Sequence, residues 1–239
     1  MSSTGNMELL KIEDPVECIV LKRVNRFVVE MMIRGRVARA YLHNTGRLLG
    51  YLEKGRRAYC MKRTSGVTRY RLFAISDGDL AAFVDTWMQT RAFEVALLKG
   101  LLPWLRSCKV VRRNVKLGES IIDFLVECEN DYMYLELKSA ALRGAKQYAM
   151  YPDCPTRRGR RHIRELIRHV QRGGLGAAVF IAGLPNVRAF KPNGRGDPAI
   201  PLLLREAYKA GVLIKALSMY YDPRRSIVLL DNPDLEIVL

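Results

Sequence analysis

Histidine is scarce in this chain, with three in 239 residues, and its five cysteines include no Cys-x-x-Cys pair. Zinc sites draw on closely spaced Cys and His ligands, so this scarcity argues against structural or catalytic zinc. Cys18, Cys60, Cys108, Cys128 and Cys154 are odd in number and scattered. That distribution is expected of buried or partly buried free thiols in a reducing compartment. No run of about 18 apolar residues is present, so no segment is expected to span a bilayer. The opening stretch MSSTGNMELLKIEDP has no apolar core of signal-peptide type, and no lipidation signal is found. It reads as a short tail, in which Met7 offers an alternative start. There is no internal repeat and no low-complexity stretch. These absences point away from the membrane and towards the cytoplasm.

Positive charge is what the chain has in excess. Lys+Arg number 40 against 24 Asp+Glu, a net charge of +16. Such a balance says little about fold, but it attracts phosphate polymers or anionic surfaces. With no membrane segment to favour a lipid surface, nucleic acid is the expected partner. DNA comes first and RNA stays open. Hydrophobic residues make up 49%, enough for a real core, and the length fits one large domain or two small ones. Oligomeric state is left open, a homodimer among the options.

The first third reads as β. Strand-like runs cover Val16 to Lys22, Phe27 to Ile33, Val37 to Leu42, Ala58 to Lys62 and Thr68 to Ile75, with turn signals at Gly35, Asn44-Thr45-Gly46 and Glu53-Lys54-Gly55. Five short strands in about 70 residues predict a small barrel or sandwich. Cations and aromatics interleave here, among them Arg36, Arg39, Tyr41 and Arg47. Oligonucleotide-binding barrels use that mixture, although a solvated basic surface with half-buried tyrosines has the same pattern. Ser76-Asp77-Gly78 is a plausible boundary, giving a barrel over 1–78 and a second domain over 79–239. Beyond it, Thr86-Trp87-Met88-Gln89 has the form of a capping box that opens a helix running to about Leu102, before Pro103. The remainder alternates. Strands are expected at Val111 to Leu117, Ile121 to Glu127, Tyr132 to Lys138, Ala177 to Ala182, Val212 to Ser218 and Ile227 to Leu230. Helices are expected from Arg160 to Gln171 and from Pro198 to Gly211. This order predicts an α/β (α+β) chain, with a mixed sheet carrying helices on its faces. The glycine- and proline-rich stretch Lys191 to Pro198 reads as a mobile loop.

Asp123, Glu136 and Lys138 form the constellation that carries chemistry. Side chains alternate along a strand, so Glu136 and Lys138 share a face. A connection over Cys128 to Asp131 sets residue 123 opposite 136, with side chains about 5 Å apart. Two carboxylates that close repel unless a cation separates them. Mg²⁺ or Mn²⁺ suits that place, since a hard divalent cation takes one or two carboxylates, waters and a phosphate oxygen. Lys138 can then hold an attacking water or meet the charge developing on phosphate. A surface hairpin with an ion pair has the same short pattern. Glu94 adds to it, because a helical wheel sets Glu94 within the stripe of Trp87, Leu97, Leu98 and Leu101. A carboxylate facing a core is costly unless it is relieved by a partner such as Arg91, by solvent at the edge of the stripe, or by joining the acidic cluster at a metal. Arg157 and Arg158 precede the next helix, and Arg161, Arg164, Arg168 and Arg172 fall on one face of it. A phosphate backbone relieves the self-repulsion of such a face, and so does plain solvation.

The stretches VLKRVNRFVVEM, HNTGRL, VKLGESIIDFLVE, YLELKSAAL, YPDCPTRRGRRHIRELI and AVFIAGLPNVRAFKPN, in this order, resemble the sugar fermentation stimulation protein A (SfsA) family over nearly the whole chain. The block from Tyr151 to Ile167 is highly specific. The resemblance implies an N-terminal OB-fold-like barrel and a C-terminal domain of the PD-(D/E)xK nuclease fold. It also implies DNA binding, and a suspected role in sugar-metabolism gene expression in bacteria. The "sugar" label describes a cellular phenotype and implies no sugar site. On this basis Asp123 matches the motif aspartate, Glu136 the second carboxylate, Lys138 the lysine, and Glu94 the acid of the first core helix. Three departures stand out. Glu-Leu-Lys replaces the usual Glu-Val-Lys, Val84-Asp85-Thr86 stands where the family commonly has Val-Asn-Thr, and the asparagine expected downstream in that helix is missing, with Thr90 nearby.

Two functions of different class follow. One is a metal-dependent DNA phosphodiesterase with Asp123, Glu136 and Glu94 at Mg²⁺ or Mn²⁺, Lys138 positioning water, and Arg157, Arg158, Arg161, His162, Arg164 and Arg168 on phosphates. The other is a largely sequence-independent DNA-binding or regulatory protein that keeps the fold without useful turnover.

Overall fold

The computed structural model describes residues 7–239. β1 (Met7–Lys11), β2 (Val16–Asn25), β3 (Val28–Ile33), β4 (Arg36–Leu42), β5 (Arg57–Lys62) and β6 (Tyr70–Asp77) open the chain. β2 and β3 alternate as a half-buried sheet demands. Val16, Cys18, Val20, Val29, Met31 and Ile33 point inward, and Glu17 and Ile19 face water. Arg34 and Gly35 both take positive φ, the requirement of the tight hairpin turn that joins β3 to β4. β4 pairs with β3, β3 with β2, β2 with β5 and β5 with β6, all antiparallel; β6 then meets β4 in parallel. The five strands close into an OB-like barrel, which leaves no open edge to aggregate.

The barrel runs directly into the second half. After a hairpin turn at Gly78, β7 (Leu80–Phe83) pairs with β6 on one side and with a distant C-terminal strand on the other. Ser76-Asp77-Gly78 is therefore a turn within one sheet. Next come α1 (Thr86–Leu98), β8 (Cys108–Leu117), β9 (Ser120–Cys128), β10 (Asp131–Ser139), β11 (Leu142–Arg143), β12 (Tyr148–Tyr151), α2 (Arg157–Gln171), β13 (Leu175–Ala182), β14 (Ala189–Pro192), α3 (Ala199–Lys209), β15 (Leu213–Asp222), β16 (Ile227–Asn232) and β17 (Glu236–Ile237). The mixed sheet has the order β7-β15-β13-β10-β9-β8, with β10, β13 and β15 parallel and β8, β9 and β10 antiparallel. The fold class expected from the sequence is the one observed. No helix among the described residues is long and apolar enough to cross a membrane.

β13 explains how the layers hold together. Ala178, Phe180 and Ala182 pack with Ile163, Leu166 and Leu204 of α2 and α3. Ala177, Val179 and Ile181 pack on the opposite face with Met88, Phe93 and Leu97 of α1. Helices cover both faces, so the strand is a continuous apolar run, and each fully buried Val, Ile or Phe contributes about 1.5–3 kcal/mol. α2 shows the other pattern. Ile163, Leu166 and Ile167 are buried, and Arg161, Arg164, Arg168 and Arg172 are exposed.

Several expectations need correction. The part of the opening tail from Met7 to Lys11 is a strand, paired antiparallel with β16; residues 1–6 lie outside the described part. Not every cysteine is a free thiol. Cys108 and Cys128 are disulfide-bonded, brought face to face by the β8–β9 register across 20 residues of sequence. Cys18, Cys60 and Cys154 are free. Lys191 to Pro198, expected as a mobile loop, starts in β14 and is tied down by buried side chains. Asn193 Nδ2 donates to Pro152 O at 2.7 Å, and Asp197 Oδ2 accepts from Thr156 N at 2.9 Å. α1 stops at Leu98, short of Leu102, because Gly100 leaves the helix at φ +66.

Candidate metal and nucleic-acid site

The β9–β10 hairpin turns through Glu129 and Asn130, with Cys128 paired to Asp131 and Phe124 to Leu135. The next step of that register sets Asp123 beside Glu136. Leu137 N donates to Asp123 Oδ2 at 2.7 Å, which fixes the carboxylate over β10. Burial, reinforced by the nearby Glu136, pushes the Asp123 carboxyl up to about 6 against the pull of Lys138.

Glu136 is 2% exposed. Its Oε1 accepts hydrogen bonds from Lys138 Nζ and from the His162 ring, and its Oε2 is buried with no partner. Burial pushes this carboxyl up, but Lys138 and His162 outweigh it and hold it below the usual range. Burial likewise works against the Lys138 ammonium, and attraction to Glu136 reverses the effect and raises its pKa. Lys138 is therefore a cation, and Glu136 an anion with one unused oxygen.

His162 does not face solvent, where it was expected to grip phosphate. It is 2% exposed, behind Glu136. Arg158 Nε donates to His162 Nε2 at 3.2 Å, one helical turn away. An accepting Nε2 implies that Nδ1 carries the proton and donates it to Glu136. The imidazole therefore relays orientation from Arg158 at the surface to the buried carboxylate.

One cleft is lined by Asp123, Glu136, Lys138, Glu94, Arg113, Arg157 and Arg158. α1 supplies one wall. Its N-cap is Asp85 rather than Thr86: Asp85 Oδ1 accepts from Met88 N at 2.9 Å, and Gln89 Nε2 turns back to Phe83 O at 2.6 Å. Asp85 also meets Arg71 Nε of β6 at 2.5 Å, binding the helix start to the barrel. The buried stripe of α1 is Met88, Gln89, Ala92, Phe93, Ala96 and Leu97, while Trp87 and Leu98 are exposed. The buried stripe is turned by about one residue from the one expected over Trp87, Leu97, Leu98 and Leu101, because Trp87 and Leu98 face solvent. Glu94 consequently lies on the cleft wall, paired with Arg113 rather than with Arg91. No three His, Cys, Asp or Glu side chains converge as a metal-binding group among the described residues. The structure brings Asp123, Glu136 and Lys138 together and keeps Glu94 on Arg113.

The cations divide. Arg157 and Arg158 reach the cleft, and Arg160, which also lines it, pairs with Asp197 at 3.1 Å. Arg161, Arg164 and Arg168 stand on the outer face of α2, with Arg168 near Glu165 at 3.2 Å. On the barrel, Arg36 and Arg47 are exposed, and Arg39 lies 3.5 Å from Glu30. Tyr41 is half-buried, with Arg63 4.7 Å over its ring. The sequence reading missed Arg113, Asp85 and the role of Arg71. Only Asp85, a strong N-cap type before a helical run, carried a local signal.

The Asp123 shift has a consequence for metal-free protein. Its folded pKa, about 6, lies above the ordinary 3.8. Between those values the folded state keeps a proton that the unfolded chain has lost, so stability falls as pH rises through that window. Asp123→Asn should remove this slope and stabilise chelator-treated protein at pH 7 by at most about 3 kcal/mol. Urea unfolding at about pH 4.5 and 7 checks it, and equal slopes in both proteins would contradict it.

A closed five-strand barrel continued into a mixed sheet, with two carboxylates and a lysine on the central hairpin, defines an OB-like barrel joined to an α/β domain with an acid–lysine cluster. Residues 21–84 match the family described as the SfsA N-terminal OB domain, and residues 87–225 match the Sugar fermentation stimulation protein RE domain. The chain belongs to the sugar fermentation stimulation protein family. The homolog from Pyrococcus furiosus is 44% identical over 231 residues, covering 97% of this chain and 100% of that one. The homolog from Archaeoglobus fulgidus is 44% identical over 233 residues, covering 98% and 100%. A solved structure of Pyrococcus furiosus SfsA in complex with Ca²⁺ superimposes with a TM-score of 0.94 at 42% identity, covering 98% of this chain and 100% of that one.

Proposed function

We propose that the protein is a divalent-metal-dependent phosphodiesterase acting on DNA in the cytoplasm. The observation that carries this reading is Glu136 Oε2, a buried carboxylate oxygen with no hydrogen-bond partner beside Asp123. A buried carboxylate oxygen without a partner is costly, and a cation placed between the two acids would satisfy it. The donor set fits Mg²⁺ or Mn²⁺, which needs only one or two carboxylates and completes its shell with water and phosphate oxygens. The likeness to a protein solved with Ca²⁺, another hard cation, supports the same reading. Asp123 and Glu136 would hold the ion, and Glu94 joins them only when Arg113 releases it. A metal bound there supplies Lewis-acid polarisation of the phosphoryl oxygen and a more acidic bound water.

The chain's own residues do the rest. Lys138, held cationic by Glu136, faces the developing negative charge and orients the attacking water. His162 and Arg158 fix the Glu136 rotamer. Arg157 and Arg158 at the mouth hold the phosphates that flank the scissile one, and the exposed stripe of α2 extends the positive field along the strand.

Wild-type protein with Mg²⁺ or Mn²⁺ should nick plasmid or degrade single-stranded DNA, and chelator should stop it. No cleavage of plasmid, single-stranded DNA or RNA with either metal would overturn the phosphodiesterase reading. The second reading, a DNA-binding regulator of sugar-metabolism genes without turnover, is favoured by the engagement of Glu94 with Arg113 and of Lys138 with Glu136. Both readings require phosphate-driven binding. Affinity for DNA should drop by about 10³-fold or more between about 50 and 200 mM salt, for six or more phosphate contacts. A flat salt profile would contradict both.

A further inference from the structure

Two large rings of the cleft wall stand in water. Phe27 is 44% exposed and Trp87 43%. Both line the cleft that holds Asp123 and Glu136. They are parts of one line of rings and guanidinium groups. Phe27, in the β2–β3 turn, stacks against Tyr41 with ring centres 6.4 Å apart and planes 21° from parallel. Arg71 bridges onward, 5.6 Å from the Tyr41 ring centre and 4.5 Å from that of Trp87. Asp85 holds Arg71 in place, so the line is rigid where the barrel meets α1. Arg91 lies 5.0 Å from the Trp87 ring; it is exposed and has no carboxylate partner among the described residues. It can swing off the ring to meet a phosphate.

Trp87 and Glu94 are seven residues apart on one helix, so about 10 Å of axis separates ring from acid. Stacked nucleotides advance about 3.4 Å each, which makes that gap about three nucleotides. Duplex DNA hides its base faces in its own stack. Only unpaired bases offer a free π-face to an aromatic ring, and they do so with little regard to sequence. The surrounding guanidinium groups match the strand's phosphates.

We propose that Phe27 and Trp87, backed by Tyr41, form a stacking platform for unpaired bases, so the strand that reaches the carboxylates is single-stranded DNA or the unpaired segment beside a duplex. This inference rests on the DNA phosphodiesterase reading and names its substrate class. Trp87 can report on it directly. The chain has two tryptophans, and Trp104 is tied to Pro233 O, away from the cleft lining.

The experiment uses the Trp104→Phe protein with chelator present. A dT oligomer of about 12 nucleotides should quench Trp87 emission to saturation, and a blunt duplex of equal length should not. Against the parent, Trp87→Ala should weaken oligomer binding about 10-fold by anisotropy and leave duplex binding within about twofold. Trp87→Phe should restore most of the loss, and matched thermal unfolding shows that the variants fold. Oligomer bound without quenching, or equal weakening for oligomer and duplex, would overturn the platform and leave the metal-dependent cleavage test untouched. Binding of neither DNA would overturn the platform and the DNA reading together.

Discussion

Asp123→Ala is expected to lower metal-dependent DNA cleavage by about 10³-fold or more, close to background, while metal-free DNA affinity stays within a few fold. The two effects separate because Asp123 is held by Leu137 N beside Glu136, whereas the proposed phosphate contacts fall to Arg157 and Arg158, which line the same cleft. Lys138→Ala should remove cleavage to a similar degree, with an added stability cost. Glu136 would keep His162 but lose its ammonium partner, leaving a buried anion under-compensated. Single-turnover cleavage, with anisotropy in chelator for affinity, reads both variants. An Asp123→Ala protein that cleaves at near wild-type rate would remove the metal assignment.

The second large effect concerns the fold. Asp85→Ala should destabilise the protein by about 3–5 kcal/mol, the ordinary cost of breaking a buried ion pair. Asp85 is fully buried, caps α1 through Met88 N, and is paired with Arg71. Burial pushes its carboxyl above the ordinary range, and Arg71 pulls the other way. Alanine removes the cap and strands the guanidinium. Asp85→Asn keeps a good cap and the shape, and should lose clearly less. For a chain of this length, the alanine loss corresponds to a fall in Tm of about 6–20 °C, measurable by calorimetry. An unchanged Tm would show that the pair contributes nothing to stability.

Much of the fold was legible in order along the chain. Strand-like runs between turn signals mark β2 to β6, Gly173-Gly174 marks the end of α2, and the unbroken apolar run of β13 marks a buried strand. Local signals failed where the partner was remote. β1 looked like a tail because the strand that completes it, β16, lies more than 200 residues away. The α1 wheel was misjudged because Trp87 is apolar by type but faces the cleft, and sequence hydrophobicity does not record which side is solvent. The disulfide was missed because spacing does not encode β-register.

By itself the sequence determined which groups are available. It placed Asp123, Glu136 and Lys138 on facing strands of one hairpin, since strand alternation and a short turn leave little choice. It also set an excess of cations that attracts anionic polymers or surfaces. Only the tertiary structure decided how those groups are used. It buried Glu136 with one oxygen satisfied and one bare, turned His162 inward as a support, drew Glu94 to Arg113, and laid Trp87 open beside Arg71. The physical reason is that charge state and exposure depend on the solvent and partners left after long-range packing, and residue type and spacing do not specify those.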